Sequence, residues 1–253
     1  MIGVSQKSDL QILPLNERAG GFIAQAMRDY GAQHPAPLQV IEAGCGREWT
    51  IDMGDLAVHL TGIDLDERAL EHRRDEVGDL DEAIVADLRT FVPDAGTYDI
   101  VYSSYVLEHV QGAEGALDAW LSALVPGGLL VLRVPDGHTV FGFLARRTPF
   151  WSHVLYKKYI ERDRMAGTPG HAPYPTVYDD VVSYAGMREY AAARKLEWVG
   201  AVGTNPQVSS LGRFAPLGLR VQKGLAALSF GRIAGTHANL TVVLRKPDPS
   251  VGS

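Results

Sequence analysis

Between residues 38 and 134, short apolar runs alternate with charged or turn-forming stretches. The runs are Leu38–Ile41, Val58–Ile63, Ala83–Ala86, Tyr98–Tyr102 and Leu129–Val134. Each has the length of a strand, and the last is apolar enough for burial on both faces. The intervening stretches have helical spacing. Phe22, Ile23, Ala26 and Met27 mark a helix from Asn16 to Tyr30, and Glu67 to Val77 is a charged helix. Leu117 to Leu124 is an amphipathic helix that Pro126-Gly127-Gly128 breaks. Strand and helix in this rhythm predict right-handed crossovers and a parallel sheet covered on both faces.

The rhythm stops at Pro135. Residues 136–178 are loop-rich, dense in aromatics and interspersed with Arg146, Arg147, Lys157 and Lys158. A helix from about Asp179 to Lys195 follows, with Asp179-Asp180 as its acidic N-terminus. Trp198–Val202 and Leu240–Leu244 read as two last strands, and the tail from Lys246 frays. The expected organisation is one domain over 1–253. It has a helical N-terminal cap (1–37), a ligand-binding half (38–134), a substrate-recognition or lid insertion (136–178) and a C-terminal helix with the last strands (179–246).

Composition narrows the function. An apolar fraction of 46% is ordinary for a globular chain. A net charge of −6 offers no basic face for nucleic acid. The one cysteine, Cys45, excludes an intrachain disulfide and a cysteine-rich metal site. No apolar run of about 18 residues spans a membrane, and the N-terminus lacks a signal-peptide layout. The expected setting is the cytoplasm, the expected partner is a small-molecule acceptor, and a homodimer is admitted. No cluster at metal-ligand spacing appears, so no metal is expected.

The candidate site follows from strand ends. Glu42, Asp64 and Asp87 close three successive strands, so they face one rim, where open α/β sheets bind ligands. The first run ends in Glu42-Ala43-Gly44-Cys45-Gly46, an acidic residue before a glycine turn whose backbone N–H groups approach a ligand closely. An acidic residue there suits a ligand that bears an ammonium group and a nucleoside. A dinucleotide fingerprint would need a third glycine where Trp49 stands, so an NAD oxidoreductase is disfavoured. Asp64 lies about 20 residues after Glu42, the spacing of a carboxylate that accepts ribose hydroxyls. Asp87 can accept an adenine amine, with Leu88 giving an N–H or an apolar wall. Each Asp alone is equally a helix N-cap; three at successive strand ends argue for a site.

With these residues in place, the chain resembles the class I S-adenosylmethionine-dependent methyltransferases. The resemblance rests on Val40–Gly46, Gly62-Ile63-Asp64, Ala86-Asp87-Leu88, Tyr98–Val110 and Leu124–Leu130, and covers roughly residues 38–134. The stretch Val106-Leu107-Glu108-His109-Val110 is similar to the small-molecule (type 11-like) branch. The resemblance implies a Rossmann-like sheet of seven strands, mostly parallel, with the last antiparallel and helices on both faces. It implies S-adenosyl-L-methionine as cofactor. Glu42, Gly44 and Gly46 would face its methionine moiety, Asp64 the ribose, Asp87 with Leu88 the adenine, and the backbone around Ser103 and Ser104 the amino group, with Cys45 and Leu65 also among the cofactor-binding residues. Many members carry a third glycine where this chain has Glu48, so Arg47 or Trp49 is expected to meet the cofactor differently.

A sulfonium is already a potent methyl donor, so the protein must align the reactants and exclude water. A hydroxyl acceptor also needs a general base; an amine or a carboxylate need not have one. Candidate catalytic residues are His109, Tyr105 and His171, with His138 near the same rim. A structural role is the alternative for each. The aromatic segment 136–178, with its loose likeness to sugar and polyketide methyltransferases, points to oxygen methylation of a hydroxyl in such a metabolite. The alternatives are N- or C-methylation on the same fold and a non-catalytic cofactor-binding scaffold.

Overall fold

The computed structural model describes residues 10–149, 151, 158, 176–177 and 179–250. Its strands are β1 (Leu10–Ile12), β2 (Leu38–Ala43), β3 (Val58–Asp64), β4 (Glu82–Val85), β5 (Tyr98–Ser104), β6 (Leu124–Pro135), β7 (Glu197–Thr204) and β8 (Asn239–Arg245). They form one sheet in the order β1-β7-β8-β6-β5-β2-β3-β4. Only β8 runs antiparallel to its neighbours, β6 and β7. The sheet therefore has eight strands rather than seven. The additional one is β1, whose Leu10–Ile12 pairs with Ala201–Gly203 at the edge, so the N-terminal segment expected as a helical cap also extends the sheet.

Helices cover both faces. On one, α1 (Gly20–Gly31) seats Ile23, Met27 and Tyr30 against Val40, Ile100 and Val131, joined by Leu70 of α2 (Glu67–Glu71). On the other, α3 (Ala113–Ala123) and α5 (Tyr184–Ala193) bring Leu117, Trp120, Met187 and Tyr190 onto Ile41, Val101 and Leu130. Each apolar stripe has the 3.6-residue period that sets it toward the sheet. A π-helical turn, His72–Val77, continues α2.

Three boundaries differ from expectation for local reasons. Helix α1 begins at Gly20, because the residues before it form a turn closed by Glu17 N–H on the Pro14 carbonyl. Helix α5 begins at Tyr184 rather than Asp179. Ser183 caps it by accepting from Gly186 N–H at 3.0 Å, whereas Asp179 accepts from Ala113 N–H at 2.8 Å at the start of α3. The Pro-Gly-Gly stretch is absorbed into β6, with Gly127 at φ +80° and a register shift opposite Tyr98 and Ile100.

Among the described residues, three further helices stand where none was foreseen. They are α4 (Val140–Arg147), α6 (Pro206–Ser209) and α7 (Ala215–Leu228). The first lies in the segment read as loop-rich, and its start is capped by Thr139 Oγ1 on Gly142 N–H.

Candidate active site

The carboxyl ends of β2, β3, β4 and β5 meet at one rim, as parallel strands require. Gly44 has φ +74°, and a Cβ there would lie 2.3 Å from Val106 Cγ2, so no other residue fits. Its N–H and that of Cys45 both donate to the Ile63 carbonyl, at 2.8 and 3.0 Å. Gly46 differs. It has φ +56°, but its missing Cβ would meet nothing within 4 Å, so its face opens to a ligand.

Asp64 ties the two turns together. Its Oδ2 accepts from Gly46 N–H at 2.8 Å and its Oδ1 from Asp66 N–H at 2.9 Å. Each oxygen keeps a lone pair for a further donor, as a ribose diol would offer. Leu65 beside it is 67% exposed, an apolar side chain on the rim where a flat base can rest. Asp87 holds Arg89 in a fork, and that hydrogen bonding keeps its carboxyl down at about 2. Leu88 is buried in the core, so of the two contributions expected of it the backbone N–H is the one that remains.

Glu42 is held from behind the rim. It is buried, and its Oε2 accepts from Arg73 Nη1 at 2.6 Å. Arg73 is fully buried and also donates to the Cys45 carbonyl at 2.9 Å and to both oxygens of Asp79. Burial pushes the Glu42 carboxyl up to about 7, against the opposing pull of Arg73. Glu42 thus fixes the glycine turn through Arg73 and the Cys45 carbonyl. Burial, then Glu42, pushes the Cys45 thiol up to about 12, so it is no nucleophile. The Ser103 hydroxyl donates to the Ala43 carbonyl at 2.9 Å and staples β5 to β2. Ser104, half-buried, ends β5 opposite Arg133. Trp49 packs edge-on against Tyr102, Arg47 lies 3.6 Å from Asp66, and Glu48 is exposed.

Beyond β5 the rim opens into a cleft of about 470 Å³. Tyr105 and Arg133 form its floor, Asn16–Ala19 one wall, and Thr204–Pro206 with Ser209 and Ser210 the other. Tyr105 is held at φ +58°, a strained backbone for a bulky residue. Its hydroxyl accepts from Asn239 Nδ2 at 2.7 Å and from Arg133 Nη2 at 3.4 Å, and the Arg133 guanidinium sits 4.9 Å from its ring centre. Burial raises the Tyr105 hydroxyl above its ordinary range, with Arg133 opposing. Two cleft residues carry buried polar atoms without partners: Arg133 Nε, a donor, and Asn205 Oδ1, an acceptor. Such atoms suit a site that a polar ligand completes.

The other candidates are dispersed. His109 closes a 3₁₀ turn (Leu107–His109), is partly exposed, and has Nε2 3.8 Å from Glu108 Oε1. It does not line the cleft. Glu108 is buried with Oε2 unpartnered, and burial pushes its carboxyl up to about 8. The backbone N–H of His138 donates to Asp136. His171 lies outside the described residues. A buried pair, Asp136 Oδ2 and His237 Nε2 at 2.9 Å, ties the end of β6 to the approach to β8. Arg73, Arg133, Asn239 and this pair were not found from sequence; a lone cation in the apolar run of β6 was the one visible signal. Among the described residues, no group of three or more metal-ligating side chains occurs.

The family of the chain is settled by comparison with known domains. Residues 15–178 match the model of a methyltransferase domain. The chain belongs to the methyltransferase domain family. It is a class I S-adenosyl-L-methionine-dependent methyltransferase of small molecules. A trans-aconitate 2-methyltransferase of Rhizobium rhizogenes is 26% identical over 248 residues, covering 87% of this chain and 92% of the relative. One from Paracidovorax citrulli is 27% identical over 198 residues, covering 70% and 72%. The fold is shared with the N-methyltransferase NodS of Bradyrhizobium japonicum, solved with S-adenosyl-L-homocysteine. That match has a TM-score of 0.53 at 15% identity and covers 92% of this chain and 91% of the other. The open space beside Gly46, the lone pairs left on Asp64 and the exposed Leu65 are compatible with a ligand of the size and polarity of this family's cofactor.

Proposed function

We propose that this methyltransferase transfers a methyl group to a carboxylate oxygen of a small anionic acid held in the Tyr105–Arg133 cleft. The observation that carries this reading is Arg133. A guanidinium on the cleft floor, with a buried unpartnered Nε, is a ready donor to a carboxylate. Arg18 on the wall adds a second positive charge. The relatives named as trans-aconitate 2-methyltransferases act on an acid by their names, which supports the same class.

When bound, S-adenosyl-L-methionine supplies an electrophilic methyl on a positively charged sulfur. The residues proposed to hold it are the Gly44–Gly46 backbone, Asp64 with Leu65, Asp87 with the Leu88 N–H, and the backbone at Ser104. Arg73 and Glu42 set the glycine turn. Tyr105, at the join of rim and cleft, would orient the acceptor. A carboxylate is already ionised at neutral pH, so no residue need remove a proton. Neither His109 nor His171 is then required as a base.

The expectation of a hydroxyl acceptor stands as the second reading, favoured by Glu17, a carboxylate on the cleft wall able to take a hydroxyl proton. The test is methyl incorporation over a panel of di- and tricarboxylic acids against sugars and phenols. Turnover with acids and a rise in KM of about tenfold or more in Arg133→Gln support the first reading. Turnover confined to neutral hydroxyl acceptors, with a loss in Glu17→Gln, supports the second.

A further inference from the structure

Helix α7 is amphipathic the wrong way round for a helix packed on a sheet. Leu217, Val221, Leu225 and Leu228 recur at helical spacing and make one stripe, which ordinarily faces the core. Here the stripe faces outward: Leu217 is 58% and Leu228 75% exposed. The buried residues of α7 are Ala215 and the polar Gln222, which accepts from Asn205 Nδ2 at 2.6 Å and donates to the His237 carbonyl at 3.1 Å. Phe214 precedes the helix and Phe230, 92% exposed, follows it. Across an apolar groove of about 350 Å³ stands α4, with Phe141 and Leu144 on the facing wall.

Helices α4 and α7 themselves carry charge of one sign. Arg213, Arg220, Lys223 and Arg232 lie on or beside α7, and Arg146 and Arg147 sit in the last turn of α4. From residue 198 to residue 247 the chain has no Asp or Glu, although its net charge is −6. The protein thus carries a local cluster of cations beside an exposed apolar stripe, a basic face that its net charge of −6 had not led one to expect. A second copy docked on the same face would set these cations against their own equivalents. Leucines and phenylalanines flanked by Arg and Lys match instead the acyl boundary and the phosphates of an anionic lipid surface.

We propose that the α4–α7 face is a peripheral docking surface for an anionic lipid bilayer. Helix α6 makes this placement matter for turnover. Its Val208 lines the groove, while Pro206 and Ser209 line the acceptor cleft. Docking therefore sets the mouth of the cleft close to the lipid surface. The inference stands whichever acceptor class the cleft takes.

The experiment is co-flotation of the full chain with phosphatidylglycerol–phosphatidylcholine vesicles and with pure phosphatidylcholine vesicles, at low and high salt. The expected result is partition into the anionic vesicles, about tenfold or more above the neutral ones, and released by salt. Leu217→Glu with Val221→Glu, and separately Arg220→Glu with Lys223→Glu, should abolish it. All four positions lie on the solvent side of α7, so unchanged melting and unchanged cofactor affinity certify the fold. No partition of the wild type, or partition that both double variants retain, overturns the proposal. So does concentration-dependent dimerisation lost in Leu217→Glu without vesicle binding, which would make the face a contact between copies. Preferential binding of an acidic amphipathic peptide over anionic vesicles overturns it as well.

Discussion

The two halves of the rim are built differently. The half proposed to hold the cofactor, at the ends of β2 to β4, is made from segments close in sequence: a glycine turn, a carboxylate after each strand, and backbone N–H groups that donate to Asp64 and Asp87. The half proposed to hold the acceptor, beyond β5, is assembled from distant segments. Asn239 reaches Tyr105 across 134 positions and His237 reaches Asp136 across 101. A ligand common to a family can be met by short motifs, whereas a particular acceptor needs side chains that only the completed sheet brings together.

The contrast can be broken most severely at Arg73, the long-range member of the cofactor half. Arg73→Met strands Glu42 and Asp79 as buried or half-buried carboxylates, and we expect a loss of about 3–5 kcal/mol in denaturant unfolding. A loss under about 1 kcal/mol would mean that the turn holds itself. The next effect separates the two glycines. Gly44→Ala meets both Val106 and an unfavourable φ, so it should cost roughly 2–4 kcal/mol of stability. Gly46→Ala carries only the φ penalty of about 1–2 kcal/mol, yet should weaken cofactor binding more than tenfold in calorimetric titration. Equal stability losses, or equal affinity losses, would erase the distinction.

Glu108, at the join of the halves, makes a prediction in pH. Its folded carboxyl is pushed up to about 8 from an ordinary 4.5 by burial. The native state therefore holds a proton that the unfolded chain releases, and stability falls as pH rises from about 4.5 through 8. Glu42, raised to about 7, acts in the same direction over the lower part of that window. Glu108→Gln should match the wild type at acid pH and exceed it by about 1–3 kcal/mol at pH 8 and above. A constant difference across pH would sink this assignment. The smallest effect sharpens the acceptor half. Asn239→Ala removes one donor to Tyr105 and should raise acceptor KM by a few-fold, about 1 kcal/mol, with cofactor affinity unchanged. An equal change in cofactor affinity would merge the two halves.

The difference also explains what could be read from the sequence. Gly44, Gly46, Asp64 and Asp87 stood out because a parallel sheet sends every strand end to one side, and strand ends show in the apolar pattern. Arg73 did not, since it lies among charged neighbours in a surface-like helix and only its depth distinguishes it. Arg133 interrupts an apolar run, but its meaning depends on Tyr105 and Asn239. Strand β1 is three residues long and reads as nothing without β7. Helix α7 escaped notice because Gly218 and Gly224 lower its propensity. Asp179 was read as part of the acidic N-terminus of its own helix, yet it accepts from the first N–H of α3, a bond fixed by tertiary structure alone.

Strand β8 is the latest strand in the chain and sits in the middle of the sheet, between β6 and β7. Strands β7 and β1 are joined to the other five only through it. During synthesis, then, β1 emerges first and waits for β7, and both wait for Asn239–Arg245 before they connect to the body of the sheet. Closure over such long sequence separations is slow. The cofactor half can form while the acceptor half is still two loose pieces. Tyr105 has its Asn239 partner only once β8 is in place, so the proposed acceptor site depends on the strand that closes the sheet.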